Sequence, residues 1–357
     1  MHIPDGYLSP STCAVLYAGA TPFWLIALKR VRRVLSARLV PLLSLVAAFS
    51  FVVMMFNLPL PGGTTGHAVG MGIAAIVLGP WASVIAISVA LLIQAIFFGD
   101  GGITAYGANC LNMAIVGSLV AHLLYRLISG RNPIDSPRRI FAAGVAGYVA
   151  INVAAFCAAI EFGVQPALFH DASGAPLYAP YPLHIAVPAM LIGHLTFAGL
   201  AECVISAGIV AYLQRANPSL LQATSGLNEN ANGWRMTRPF WIRLAALMIL
   251  TPLGLLAAGT AWGEWGIEDF KDPQARRQMA AASHDLAPPA EAPKGLERLS
   301  SVWTAPMPDY APPFLKSKEL GYIMSAMLGT GLIILAFLLT DGILRPRGPR
   351  WKGSSML

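Results

Sequence analysis

A chain of 357 residues that is 56% hydrophobic and only 11% charged, with a mean hydropathy of +0.61, carries too little charge to cover a soluble surface. The net charge of +7 does not point to nucleic acid, because the basic residues stand in short clusters between apolar runs rather than along one polar face. Cys13, Cys110, Cys157 and Cys203 all lie within apolar runs and make no CxxC or Cys/His zinc spacing, so they read as small core residues.

The opening MHIPDGYLSP places a free amine, a backbone amide and an imidazole within two residues. The Met1 amine, the deprotonated His2 amide and a His2 ring nitrogen form fused chelate rings around one ion and leave one position of a planar site open. All-nitrogen, square-planar coordination suits Ni(II) or Cu(II), and Co(II) less strictly, whereas Zn(II) prefers tetrahedral sets. Amine and amide must both lose protons, so binding should weaken in acid. No charged segment precedes the first apolar run and Asp5 lies in the opening, which is not a signal-peptide layout. The segment is therefore expected to stay on the mature protein, and the bulky His2 predicts that Met1 stays too.

A bilayer core about 30 Å thick needs about 20 apolar residues as helix. Nine runs qualify as candidates, at 12–28, 39–58, 67–79, 81–98, 105–128, 139–163, 185–213, 240–262 and 320–340. The third, HAVGMGIAAIVLG, is short and Gly-rich and reads as a broken or partly inserted helix packed inside protein. It opens on His67, which follows LPLPGGTTG and supplies the fourth nitrogen on the side where the N-terminus is expected. In the fifth run Asn109 and Asn112, three apart on one helical face, are candidates to orient His67 or the N-terminal loop; interhelical hydrogen bonding is the equal alternative. Thr64, Thr65 and Asp5 are weaker candidates for the same supporting role. His122, and the pair His194 and Glu202 in the seventh run, mark either a polar path or helix contacts, with contacts favoured. Gly144, Gly147, Gly329 and Gly331 permit close helix approach without saying against what.

Lys29, Arg30, Arg32, Arg33 and Arg38 follow the first run, and Arg126, Arg131, Arg138 and Arg139 flank the loop between the fifth and sixth. Arg215, Arg235, Arg238 and Arg243 lie in or beside a polar linker at 216–238, and Arg345, Arg347, Arg350 and Lys352 close the chain. With nine spans all of these fall on one side, which the positive-inside rule makes cytoplasmic, as it makes the 346–357 tail. Loops near 59–66, 99–104 and 164–184 have no Lys or Arg, which places them and the N-terminus outside. The fold expected is an all-α, polytopic transmembrane bundle of about seven spans over 1–215. A two-span hairpin at 239–345 follows, with a proline-rich outer segment at about 263–319.

MHIPDGYLSP, PGGTTGHAVGMG and the GANCLNMAIVG run around Asn109 and Asn112 resemble the substrate-binding membrane subunit of nickel/cobalt energy-coupling-factor transporters, over about residues 1–215. The hairpin resembles the small two-span partner subunit of these systems. Pro293-Lys294-Gly295-Leu296-Glu297 is close to its PDGLE signature, and Pro308-Asp309-Tyr310-Ala311 fits a motif after it. The resemblance implies that the N-terminal loop plugs into the bundle and that Met1, His2 and His67 ligate the metal. It implies two separate ATPase subunits, a transmembrane coupling subunit and a bacterial inner (plasma) membrane location. Lys294 stands where the signature has Asp, and the primary ligands serve both metals, so Ni(II) leads as substrate and Co(II) is the runner-up.

No GxxxxGK[ST] loop is present, so the energy source is expected in a partner. Neither HExxH nor GxSxG appears, and the chain is expected to be no enzyme. Scattered methionines, which would suit Cu(I), read as packing. The competing class is a membrane metal sensor that does not transport.

Overall fold

The computed structural model describes residues 1–34, 39–222 and 233–344. Arg38, the middle of the 216–238 linker and the tail from Arg345 to Leu357 lie outside the described residues. Seven helices there are long and apolar enough to cross a membrane. With no water in a bilayer core, a helix is the way an apolar run satisfies its own backbone.

Helix α1 (Pro10–Val34) begins where Ser9 Oγ accepts from the Thr12 amide at 3.1 Å and Pro10 pre-sets the first turn. Helix α2 (Leu39–Met54) is followed by a hairpin, β1 (Leu58–Leu60) against β2 (Thr64–Gly66), antiparallel with Pro59 opposite Thr65. Then come α3 (Met71–Leu78), α4 (Pro80–Phe98), α5 (Tyr106–Ser129), α6 (Pro137–Gly163) and α7 (Leu183–Ala216). Three spans contain π-helical turns, at Gln94–Phe98, Cys110–Gly117 and His194–Ala198.

The run at 67–79 becomes irregular backbone over 67–70, with Gly70 left-handed at φ +76°, and an eight-residue helix, buried over Met71–Val77, not a full span. It ends at Gly79–Pro80, beside Arg30 and Arg126 at the face opposite the N-terminus. The basic ends of α1, α5, α6 and α7 share that opposite face, and the 99–104 loop and the start of α1 share the N-terminal face.

The second module is α8 (Thr237–Leu256) and α11 (Lys318–Leu344), joined by an irregular segment with two short helices, α9 (Pro273–Ala282) and α10 (Lys294–Leu299). Both long helices pack against α2, which is why every α2 residue except Phe49 is buried. A Cβ on Gly329 would lie 2.2 Å from Phe51 Cζ, so the glycine lets α11 seat on α2. Gly144 and Gly147 face Cys203 and Ser206 of α7. Gly331 has open space beside it. The four cysteines are free thiols, buried or half-buried.

Candidate metal centre

The first nine residues turn inward and are held by α5, by the 99–104 loop, by Gln165 and by the second module. The Asn109 carboxamide accepts from the Ile3 amide at 2.8 Å and donates to the Ile3 carbonyl at 3.1 Å, and that carbonyl also accepts from the Gly102 amide at 2.8 Å. The Asp5 carboxylate accepts from the amides of Ile103 and Thr104 at 3.1 and 2.7 Å and from the Thr104 hydroxyl. The Ser9 amide donates to Gln165 Oε1 at 3.0 Å. Met1 and His2 are thereby buried, 3% and 1% exposed, although they begin the chain.

His67 is 6% exposed and its ring centroid is 5.0 Å from that of His2, the planes inclined by 31°. His67 Nδ1 lies 3.0 Å from the Ala68 carbonyl oxygen, which can only accept, so Nδ1 carries the proton and Nε2 keeps the lone pair. Burial, with His2 and the terminal amine nearby, pushes the His67 imidazole down to about 3, and it is neutral when it meets a cation. His2 Nδ1 lies 2.8 Å from Asp100 Oδ1, and His2 Nε2 is buried without a hydrogen-bond partner among the described residues.

The second module closes over this site. The Met1 amine donates to Glu264 Oε1 at 3.1 Å. The Tyr7 hydroxyl donates to the Trp265 carbonyl at 2.8 Å. Gly6, at φ +88°, lies under Leu296, where a Cβ would be 2.7 Å from Leu296 Cα; the Gly-Leu pair of the signature is what the N-terminal loop packs on. Asp309 and Tyr310 both adopt left-handed backbone, φ 54° and 58°, a conformation non-glycine residues rarely take. The turn buries the Tyr310 ring on Phe98, centroids 4.8 Å apart, and lets its hydroxyl donate to Asp100 Oδ2. Gln94 Nε2 donates to the same oxygen at 3.2 Å. Burial by itself raises an acid, but the His2 ring, His67 and the Tyr310 hydroxyl hold the Asp100 carboxyl well below the ordinary range. Burial and that carboxylate push the Tyr310 hydroxyl up.

Asn112 does not reach the loop; its amide donates to Glu161 Oε2 at 2.8 Å. Thr65 sits in the hairpin and bridges to Ala261 of the second module, and Thr64 Oγ1 donates to the Pro61 carbonyl at 3.3 Å. His122 lines a polar cavity of about 540 Å³ with Arg30, Arg126 and Arg139 at the opposite face. His194 Nδ1 lies 2.7 Å from the Met190 carbonyl, and Glu202 turns to the start of α3. His170, His184 and His284 are exposed. Sequence reasoning passed over Asp100, Glu264 and Gln94; the only local signal was an acid in a short loop free of Lys and Arg.

Among family profiles, one described as the cobalt uptake substrate-specific transmembrane region (CbiM) matches residues 2–220, and one described as the PDGLE domain matches 238–345. The fused nickel transport protein NikMN of Rhodobacter capsulatus is 58% identical over 343 residues, 96% of this chain and 98% of that one. The probable fused nickel transport protein LarMN of Lactiplantibacillus plantarum is 42% identical over 341 residues, 95% and 96% of the two chains. A crystal structure described as a truncated transition metal transporter is 49% identical, with a TM-score of 0.56, over 60% of this chain and 98% of that one. The chain belongs to the CbiM family, carried here in one polypeptide with a PDGLE domain, and it is a multi-pass membrane subunit of nickel or cobalt transport rather than an enzyme.

Proposed function

We propose that the protein captures Ni(II) in a planar site of four nitrogens: the Met1 amine, the His2 amide, a His2 ring nitrogen and His67 Nε2. The observation that carries this reading is the buried pair of rings, His2 and His67, 5.0 Å apart beside the terminal amine. The ion is cargo. It reaches the site only as protons leave the amine and the amide, and as the Glu264 and Asp100 carboxylates give up their hold on Met1 and His2. Asp5 and Asn109 fix the loop that presents these atoms; Thr65 and Asn112 support the walls around it.

In this reading the chain is the substrate-capture subunit of an ATP-driven energy-coupling-factor importer. A transmembrane coupling subunit and two ATPase subunits drive release to the interior, with the N-terminus outside and the C-terminus cytoplasmic. Residues 1–215 form the capture unit, 216–238 the cytoplasmic linker, 239–345 the capping module and 346–357 a cytoplasmic tail. Cobalt is the second reading, favoured by the cobalt uptake description of the profile matching 2–220.

Metal content of the purified chain, with paired nickel and cobalt titrations, tests the cargo. Acetylation of the Met1 amine removes its lone pair and leaves every side chain intact. Expected is a loss of tight nickel binding; binding at native strength by the acetylated chain would refute the amine as ligand. Ni-63 uptake by cells carrying the partner subunits, abolished by His2→Ala, separates a transporter from a sensor.

A further inference from the structure

Glu202 of α7 is fully buried, and its carboxylate accepts from three backbone amides of one stretch: Val69 at 2.9 Å and Gly70 at 2.8 Å on Oε2, and Gly72 at 2.9 Å on Oε1. These amides lie where the irregular 67–70 segment becomes α3. The first amides of a helix have no partner within it, and Gly70, at the N-cap, has no side chain to cap them. A carboxylate at membrane depth is costly unless it is held in such a way.

One of the three bonds has a further consequence. The Val69 amide and the Ala68 carbonyl belong to the same planar peptide group. Glu202 Oε2 holds the N–H end of that plane, and its C=O end holds His67 Nδ1 at 3.0 Å. The Ser50 hydroxyl fixes the next plane, donating to the Val69 carbonyl at 2.6 Å. A ligating imidazole is oriented, and its free nitrogen made more basic, by what its other nitrogen donates to. Here that acceptor is a carbonyl whose own amide is pulled by a buried carboxylate, and hydrogen bonds in such chains strengthen one another. The backbone has little room to adjust, since a Cβ on Gly72 would lie 2.8 Å from Gly147 Cα.

We propose that Glu202 is a positioning residue for metal capture: through the Ala68–Val69 peptide it aims His67 Nε2 at the ion. The inference rests on His67 being a ligand. It separates Glu202 from an ordinary helix cap, which would stabilise α3 without affecting the metal.

The test uses the full chain in lipid nanodiscs, titrated with Ni(II) as wild type, Glu202→Gln and His67→Ala, each with and without added imidazole. The readouts are affinity and the visible absorption of planar Ni(II). Gln keeps the length of the side chain but turns an amino group toward backbone N–H donors. Expected is a loss of the planar spectrum in both variants, with affinity in Glu202→Gln down about 10–100-fold. Imidazole should restore the spectrum in both, because the three nitrogens of the N-terminal arm are untouched. Wild-type affinity and spectrum in Glu202→Gln, beside an impaired His67→Ala, overturn this inference alone. A loss in Glu202→Gln that imidazole does not restore overturns it as well. Wild-type binding by His67→Ala refutes the site reading and this inference with it. If Glu202→Gln does not accumulate as monodisperse protein, Glu202→Asp, which keeps both oxygens but withdraws them by one methylene, is judged by the same outcomes.

Discussion

The carboxamide of Asn109 satisfies both backbone groups of Ile3, the residue that follows the proposed ligands, across 106 positions of sequence. The pair acts as a two-point latch, since a carboxamide is the side chain that donates and accepts in one plane. Asn109→Ala leaves the buried Ile3 amide unpaired, at a cost of about 1–3 kcal/mol. Nickel affinity should fall about 10–100-fold, as when other outer-shell partners are removed. Equilibrium dialysis with Ni-63 measures this, and an unchanged affinity would show that Asp5 and Gly102 suffice to hold the loop.

Gly6 touches the backbone of the capping module at a φ of +88°. Gly6→Ala puts a methyl group 2.7 Å from Leu296 Cα and strains the backbone by about 1–3 kcal/mol. The loop and the module should separate. Hydrogen exchange at the Ile3 and Tyr7 amides is expected to accelerate at least tenfold, with α4 and α6 protected as before.

Tyr310→Phe keeps the ring stacked on Phe98 but removes the hydroxyl that donates to Asp100. The Asp100 carboxyl lies below its ordinary range in the fold, so its contribution is complete above the unfolded value and disappears as pH falls through the folded one. Losing a donor raises the folded value. Loop opening on acidification, followed by tryptophan fluorescence from Trp262 and Trp265, should therefore begin at higher pH in Tyr310→Phe than in wild type.

Nickel affinity should climb with pH, about tenfold per unit for each proton released, while the amine and amide still carry theirs. His67, pushed down to about 3 by burial, gives up no proton on binding at neutral pH. His67→Ala should lower affinity without changing that slope between pH 6 and 8. A shallower slope in the variant would mean that His67 is protonated before the ion arrives.

Much of the architecture was legible because a membrane imposes a simple rule on sequence. Runs of about twenty apolar residues become spans, and basic clusters mark one face. The irregular 67–79 segment stood out for the same reason, being too short and too rich in glycine to span as helix. What holds it was not legible: Glu202 is one acid in an apolar run, and its partners are backbone amides, which leave no trace in a sequence.

The sequence by itself determined the bundle and its two modules, and it set the MHIPDG order on which the proposed chelate rests, because hydropathy, charge placement and residue order are local properties. Only the tertiary structure decided that Glu264 grips the Met1 amine, that Tyr310 and His2 share Asp100, and that Glu202 stands behind His67. These pairs lie up to 263 positions apart. An acid in a loop reads the same whether water or a buried amine is its partner, and the choice falls to the packing that excludes the water.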